Sequence, residues 1–168
     1  MAVAATGPIS LPLANLRALI AASSSFQTWV GAASAAEALA SIYQVGVDKG
    51  DYTRPFALVR HTNPGALTHE SLAGGARNHF APAGEGSLEV VFEDEVASGN
   101  EDSHVDAEFA FTNNVGAVLA DMETTGATGA YLVMHRWTVA FGPARAHPDE
   151  KQSEGDYYQI VIRVDWGT

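Results

Sequence analysis

The residues of this chain that could do chemistry are its histidines and its groups of acidic side chains. Asp102, His104 and Asp106 alternate along the chain, which would bring three metal ligands to one side of an extended segment. A helix is expected to begin here, however, and side chains two positions apart diverge on a helix. We therefore interpret the two aspartates as groups that stabilise the helix start, where the helix dipole favours negative charge.

A second acidic group consists of Glu93, Asp94 and Glu95, with Glu101 a short distance further along the chain. Carboxylates attract calcium, but the spacing of these four residues matches no calcium-binding loop. We interpret the group as a solvated acidic surface at a strand end.

Three further patterns lack the partners that catalysis needs. His69 and Glu70 resemble the start of a zinc-protease helix, but Ala73 stands where the second histidine is required. Gly84 and Gly86 form an incomplete nucleotide fingerprint. His135 lies among apolar residues with no serine or cysteine nucleophile to activate. The sequence therefore predicts that the protein is not an enzyme and holds no metal or cofactor.

One alternative stays open, which is a small-ligand binding module. Its best residues would be His135, Arg136 and Trp137 on a late strand. Trp29, Trp137 and Trp166 could stack on a ligand, although core packing explains each of them at least as well.

Length and composition restrict the possible partners. The chain has 168 residues, of which 46% are apolar and 17% charged, enough for one domain with a sizeable core. Its net charge is −11 and it has two lysines, so binding through nucleic-acid phosphates is not expected. The absence of cysteine excludes disulfides and thiolate metal sites. No apolar run approaches 18 residues, and residues 1–8 do not resemble a signal peptide, so no membrane association is predicted and the cytoplasm is the default compartment.

Helices are predicted first along the chain. Ser10 is expected to cap one helix, and two capping boxes pair Ser24 with Gln27 and Ser34 with Glu37. A long helix is predicted to begin near Ser103. We expect its core-facing stripe to comprise Val105, Phe109, Thr112, Gly116, Leu119 and Met122, widened by Phe111, Val115 and Val118.

Strands are predicted in two groups, on either side of the long helix. Three short strands precede it, and two alternating strands, near 131–141 and 157–166, follow it and should pair as a hairpin. This order predicts an α+β fold, with a mostly antiparallel five-stranded sheet and helices packed on one face. We expect a single domain over residues 1–168, with a flexible arm at 1–9 and long loops at 62–86 and 142–156.

Four segments resemble the tail terminator family, the small neck and tail-completion proteins of long-tailed bacteriophages. They are LRALI at 16–20, SFQ at 25–27, RPFALV at 54–59 and DYYQIVIRV at 156–164. The order of elements over nearly the whole chain is also similar, including the single long helix after the third strand.

The resemblance implies a structural virion protein, assembled in the host cytoplasm. Such a protein forms a hexameric ring at the head-proximal end of the tail, stops polymerisation of the tail tube and joins tail to head. Its partners would be copies of itself, the tail tube protein and the head–tail connector proteins, while DNA passes without specific binding. An adjacent head-completion or connector ring protein is a close alternative.

The resemblance also implies roles for the long loops and the acidic group. We expect the loops to supply assembly contacts. The candidate contact residues are Arg77, Asn78, His79, Phe80, Arg145, His147, Asp149, Glu150 and Lys151. Glu93, Asp94, Glu95 and Glu101 would line the lumen, where like charge keeps DNA from adhering.

Overall fold

The computed structural model describes residues 10–44, 52–68, 83–95, 101–128, 136–140 and 157–167. Four helices and five strands lie in this part of the chain. In chain order they are α1 (Ser10–Ala22), α2 (Ser24–Val30), α3 (Ala35–Ala38), β1 (Ile42–Gln44), β2 (Phe56–Thr68), β3 (Ala83–Glu95), α4 (Glu101–Thr128), β4 (Arg136–Ala140) and β5 (Tyr157–Gly167). A short 3₁₀ turn, Leu39–Ser41, joins α3 to β1.

The strands form one mixed sheet in the order β1-β2-β3-β5-β4. β1 runs parallel to β2, whereas the other neighbouring strands pair antiparallel. β4 and β5 pair along Arg136–Ala140, as the two alternating segments indicated. The predicted α+β class is confirmed.

The predicted bounds of the loop at 62–86 are wrong at both ends, because strands occupy its first and last residues. β2 continues to Thr68 and β3 begins at Ala83, so that Ala66 pairs with Glu85 and Leu67 with Gly84. The register between β2 and β3 shifts on either side of Asn63, because β2 contains extra residues there that have no partner in β3. Pro64 and Gly65 fall within that irregular stretch, which explains how a strand accommodates residues that otherwise indicate a loop. Residues 69–82, like the arm at 1–9 and the loop at 142–156, lie outside the described residues.

The core lies between one face of the sheet and the helices. Alternate residues of the central strands are buried, because successive side chains of a strand point to opposite faces. The sheet contributes Ala57, Val59, Leu88, Val90, Phe92, Tyr158, Ile160, Ile162 and Val164 to the core, and the helices contribute chiefly Leu13, Leu16, Leu19, Ile20, Phe26, Phe111, Val115, Val118 and Met122. The predicted inward face of β5 is confirmed from Tyr158 to Val164.

Local capping sets the bounds of the short helices. Ser23, rather than the predicted Ser24, caps α2, and its hydroxyl accepts from the Phe26 N–H. Gly31 ends α2 with φ 69°, a left-handed conformation that glycine adopts without strain. Ser34 caps α3 as predicted, while the Glu37 carboxylate accepts from the N–H of Ala33.

The long helix begins at Glu101, two residues before the predicted start, and extends to Thr128, past Gly126. Its buried stripe is narrower than predicted. Phe111, Val115, Val118 and Met122 are buried, but Val105, Phe109 and Gly116 are exposed. The two phenylalanines are two residues apart, which places them about 200° apart around the helix axis, so both cannot face the same core.

Candidate assembly surface

The predicted loop contacts lie outside the described residues. These are Arg77, Asn78, His79 and Phe80 in the first loop, and Arg145, His147, Asp149, Glu150 and Lys151 in the second. The alternative ligand site depended on His135, Arg136 and Trp137. His135 also lies outside the described residues, and Arg136 and Trp137 are described only as backbone of β4.

The predicted acidic group does not act as one cluster. Glu93 lies on the sheet face opposite the helices and contacts Arg54 at 3.5 Å, while Gln159 Nε2 donates to its other oxygen at 2.9 Å. Asp94 points the other way and accepts from Trp29 Nε1 at 2.9 Å. Glu95 is exposed, and Glu101 begins α4. Two of the four carboxylates therefore stabilise the domain itself, and the role of the group in a lumen stays a prediction.

The structure instead draws attention to the solvent side of α4. Phe109 is 64% exposed and Val105 is 50% exposed. The other exposed residues on this side are mostly small. We define the outer face of α4 as Val105, Asp106, Phe109, Ala110, Asn113, Gly116, Ala117 and Ala120. An ordinary surface helix carries charged and polar residues on its solvent side, so this composition is typical of a helix with a further partner.

Charge on α4 is entirely of one sign. The helix contains six acidic residues and no lysine or arginine. On its outer face Asp106 lies next to the exposed Val105 and one turn from Phe109. The surface therefore combines apolar side chains with negative charge.

A second surface lies on the side of the sheet that faces away from the helices. We define the outer sheet face as Leu58, Arg60, Glu89, Val91, Val161 and Arg163, which occupy matching registers on β2, β3 and β5. Leu58, Val91 and Val161 form an apolar row across the three strands, in which Val91 is buried at 4% exposure and its two neighbours are partly exposed. Arg60, Glu89 and Arg163 form the adjacent row.

The charged row places two guanidinium groups around one carboxylate. Arg60 forms a salt bridge with Glu89, and the Arg60 side chain remains 47% exposed whereas that of Glu89 is 15% exposed. Arg163, also exposed, donates to Ser87 Oγ at 2.8 Å. The positive groups are thus the accessible ones, which is unusual in a chain whose net charge is −11.

At the other end of the same strands, aromatic side chains reinforce the domain. The rings of Tyr43, Tyr52 and Phe56 contact one another with centroids 4.5 to 5.5 Å apart. Arg54 lies over the Tyr157 ring at 4.9 Å, in addition to its contact with Glu93. These contacts hold the short parallel strand β1 and the start of β2 against the sheet.

Asp121 joins α4 to the start of α2. Its Oδ2 accepts from the Ser25 N–H at 2.9 Å, from Ser23 Oγ at 2.8 Å and from Ser24 Oγ at 3.1 Å. Above all the Ser25 N–H, and then the Ser23 hydroxyl, lower the pKa of the Asp121 carboxyl from 3.8 to about 2. This carboxylate is a structural clamp between two helices, because every group bound to it belongs to the chain's own α2 region.

A shallow cleft lies beside this clamp. It has a volume of about 450 Å³ and is lined by Ser24, Ser25, Thr28, Trp29, Asn114 and Ala117. These residues provide hydroxyl, amide and indole groups but no titratable side chain. Among the described residues, the side chains that line the cleft therefore include no general acid or base.

The described residues also include no group of three or more His, Asp or Glu side chains placed to hold a metal ion. In the same residues, no helix is both long and apolar enough to cross a membrane. No family model matches the chain, and no curated protein matches it at a significant level.

Three residues of the outer face of α4, Val105, Phe109 and Gly116, were predicted from the sequence to face the core. The signal that separates the faces was present, since Phe111, Val115, Val118 and Met122 recur at helical spacing without Val105 and Phe109. The cross-strand rows of the outer sheet face required the registers of three strands, which periodicity along one strand does not contain.

Proposed function

We propose that this protein is a structural subunit of a homo-oligomeric ring, and that the ring acts as a tail terminator of a long-tailed bacteriophage. In this role it ends polymerisation of the tail tube and joins tail to head. Its partners are further copies of the chain, the tail tube protein and the head–tail connector proteins, and it works in the virion without catalysis.

The observation that carries the proposal is the exposed apolar side of α4. A monomeric protein gains nothing from leaving Phe109 64% exposed beside a half-exposed Val105. A subunit of an assembly gains affinity, because a buried aromatic anchor is a typical hot spot of a protein interface. The resemblance of four sequence segments to the terminator family then favours this assembly over others.

The charge of the chain supports the proposed role at the junction of tail and head, through which DNA must pass. Twenty acidic residues against nine basic ones leave a net charge of −11. A ring of such subunits repels the phosphates of DNA, so that DNA can pass without adhering. We propose for this subunit the domain that the sequence predicts, with a mostly antiparallel five-stranded sheet and long loops.

An adjacent connector ring is the nearest alternative, since it would use the same subunit properties. A small-ligand binding module is less favoured, because the cleft between α2 and α4 is open and lacks a titratable lining residue. Binding of a ligand in that cleft would protect Trp29 from solvent and change its fluorescence.

Light scattering over a concentration series tests the ring. We expect the mean mass to rise to a closed oligomer near six subunits and to stay constant at higher concentration. Electron microscopy of the same sample should show rings with a central opening. Adding these rings to a polymerising tail tube should stop its growth, which a connector ring would not do. A protein that stays monomeric at every concentration, and that leaves tube growth unchanged, would contradict the proposal.

A further inference from the structure

We infer that the outer face of α4 of one subunit docks on the outer sheet face of the next subunit, so that every contact in the oligomer joins two different surfaces. The inference rests on the proposed ring and specifies how its subunits meet. It concerns two surfaces on opposite sides of the domain, since α4 covers the inner face of the sheet.

The charge of α4 argues against the contact of two α4 helices with each other. Each helix carries six acidic residues and no basic one. Pairing two outer faces would bring Asp106 of each copy into the contact with no lysine or arginine on either helix to compensate, which costs free energy wherever the charges are brought out of water. The outer face of α4 therefore requires a surface with accessible positive charge.

The outer sheet face offers such charge. Arg60 and Arg163 are both exposed there, while the carboxylate of Glu89 between them is largely covered. Asp106 lies on the outer face of α4, and a guanidinium group can donate to a second carboxylate because it has five N–H donors. Charge complementarity thus pairs the two surfaces.

The apolar side chains of the two surfaces are also complementary. Val105 and Phe109 flank Asp106 on α4. On the sheet, the row of Leu58, Val91 and Val161 lies beside the arginine row. Leu58 and Val161 keep partial exposure, so they can still lose solvent-accessible area to the phenyl ring of a neighbour. Gly116, with no atom within 4 Å of the position of a Cβ, lets the backbone of α4 approach a surface closely.

The kind of oligomer that can form depends on whether like or unlike surfaces meet. When two different surfaces of the same chain meet, each new subunit leaves one free surface of each kind, so the assembly grows head to tail and forms a ring when the rotation between subunits closes the circle. When one surface meets a copy of itself, the assembly stops at a dimer. The contact proposed here is therefore one that can build the ring.

Two variants test the contact, one for each surface. Phe109→Lys removes the apolar anchor and places positive charge on the outer face of α4, opposite the arginine row. The double variant R60Q/R163Q removes both positive charges and keeps a polar amide at each position. Two matched controls, Phe109→Leu and R60K/R163K, keep an apolar group and the positive charges, and should retain more of the wild-type association than the test variants do. Circular dichroism and thermal unfolding check that each variant is folded.

Each test variant alone should associate at least about thirtyfold more weakly than the wild-type chain, the effect of losing one interface hot spot. An equimolar mixture should form a dimer with one copy of each variant, and nothing larger. In that dimer the intact α4 of R60Q/R163Q contacts the intact sheet of Phe109→Lys, and no second intact pair remains. Light scattering and native mass spectrometry measure both results.

Three results would overturn the inference. If folded variants close into the wild-type oligomer, the ring remains but these surfaces do not form its contacts. If each variant is monomeric and the mixture is too, the two surfaces do not bind each other. If the wild-type chain never associates, the proposed function fails and the inference fails with it.

Discussion

Asp121 shows how one residue can join two elements that are distant in sequence. Its carboxylate accepts hydrogen bonds from three consecutive residues that lie nearly a hundred positions earlier. The α2 helix has seven residues, too few to be stable alone. The charge from α4 therefore stabilises the start of a helix that packs Phe26 and Trp29 against the core.

Replacing Asp121 by asparagine should lower the free energy of unfolding at neutral pH by about 1 kcal/mol, after allowance for solvent screening. The folded-state pKa lies below the unfolded value, so the carboxylate contributes fully above its ordinary pKa of 3.8 and loses the contribution as pH falls to about 2. Urea denaturation of the two proteins should give stabilities that converge over that interval. Glu123→Gln, an exposed position two residues away, is the control and should change little. A constant difference down to pH of about 2 would contradict this account.

Trp29 is the second residue whose role can be measured directly. Its Nε1 donates to Asp94, and its ring lies 5.7 to 6.1 Å from the rings of Phe26, Phe92 and Phe111. Trp29→Phe should cost about 2 kcal/mol, from the lost hydrogen bond and the reduced packing.

A double-mutant cycle separates the two contributions of Trp29. Combining Trp29→Phe with Asp94→Ala should give a coupling of about 1 kcal/mol in urea denaturation. The same cycle with Glu95→Ala, at the neighbouring exposed carboxylate, should give none. Equal coupling at both positions would show that the effect is not the hydrogen bond.

At the scale of elements, α4 carries two apolar stripes with different roles. Phe111, Val115, Val118 and Met122 face the core. Val105 and Phe109 face solvent near the N-terminal end of the helix. A single broad stripe was the natural interpretation of the sequence, because apolar residues nearly surround the first half of the helix.

Two neighbouring phenylalanines distinguish these roles. Phe111→Ala should destabilise the fold by about 3 kcal/mol or more, because it leaves a cavity beside Tyr158, whose ring stacks on Phe111. Phe109→Ala should change the stability by no more than about 0.5 kcal/mol, since the ring is mostly exposed. Urea denaturation at concentrations where the chain is monomeric measures both. A large cost at Phe109 would mean that part of the same chain covers it.

At the scale of the whole molecule, the dominant property is negative charge. The few accessible positive groups of the outer sheet face occur within a chain that has eleven more acidic than basic residues. Such a distribution favours contact between unlike surfaces of two copies and disfavours contact with nucleic acid.

We expect no saturable binding of double-stranded DNA, even at about 50 mM salt, where phosphate contacts are strongest. Fluorescence anisotropy of a labelled duplex, titrated with the assembled protein, measures this. The R60Q/R163Q variant should behave in the same way, since these arginines are expected to meet protein and not phosphate. Saturable binding that weakens with added salt would exclude the role proposed for the acidic lumen.

The sequence by itself determined the α+β class, the helix caps at Ser34 and Gly31, and the inward face of β5. These properties depend on periodicity and on local hydrogen bonding, which neighbouring residues specify. The tertiary structure decided which stripe of α4 is buried, since that depends on where the sheet and α1 lie. It also decided that β2 and β3 extend into the glycine-rich segment, because a partner strand supplies the hydrogen bonds there. The clamp at Asp121 and the rows of the outer sheet face arise in the same way, from residues that only folding brings together.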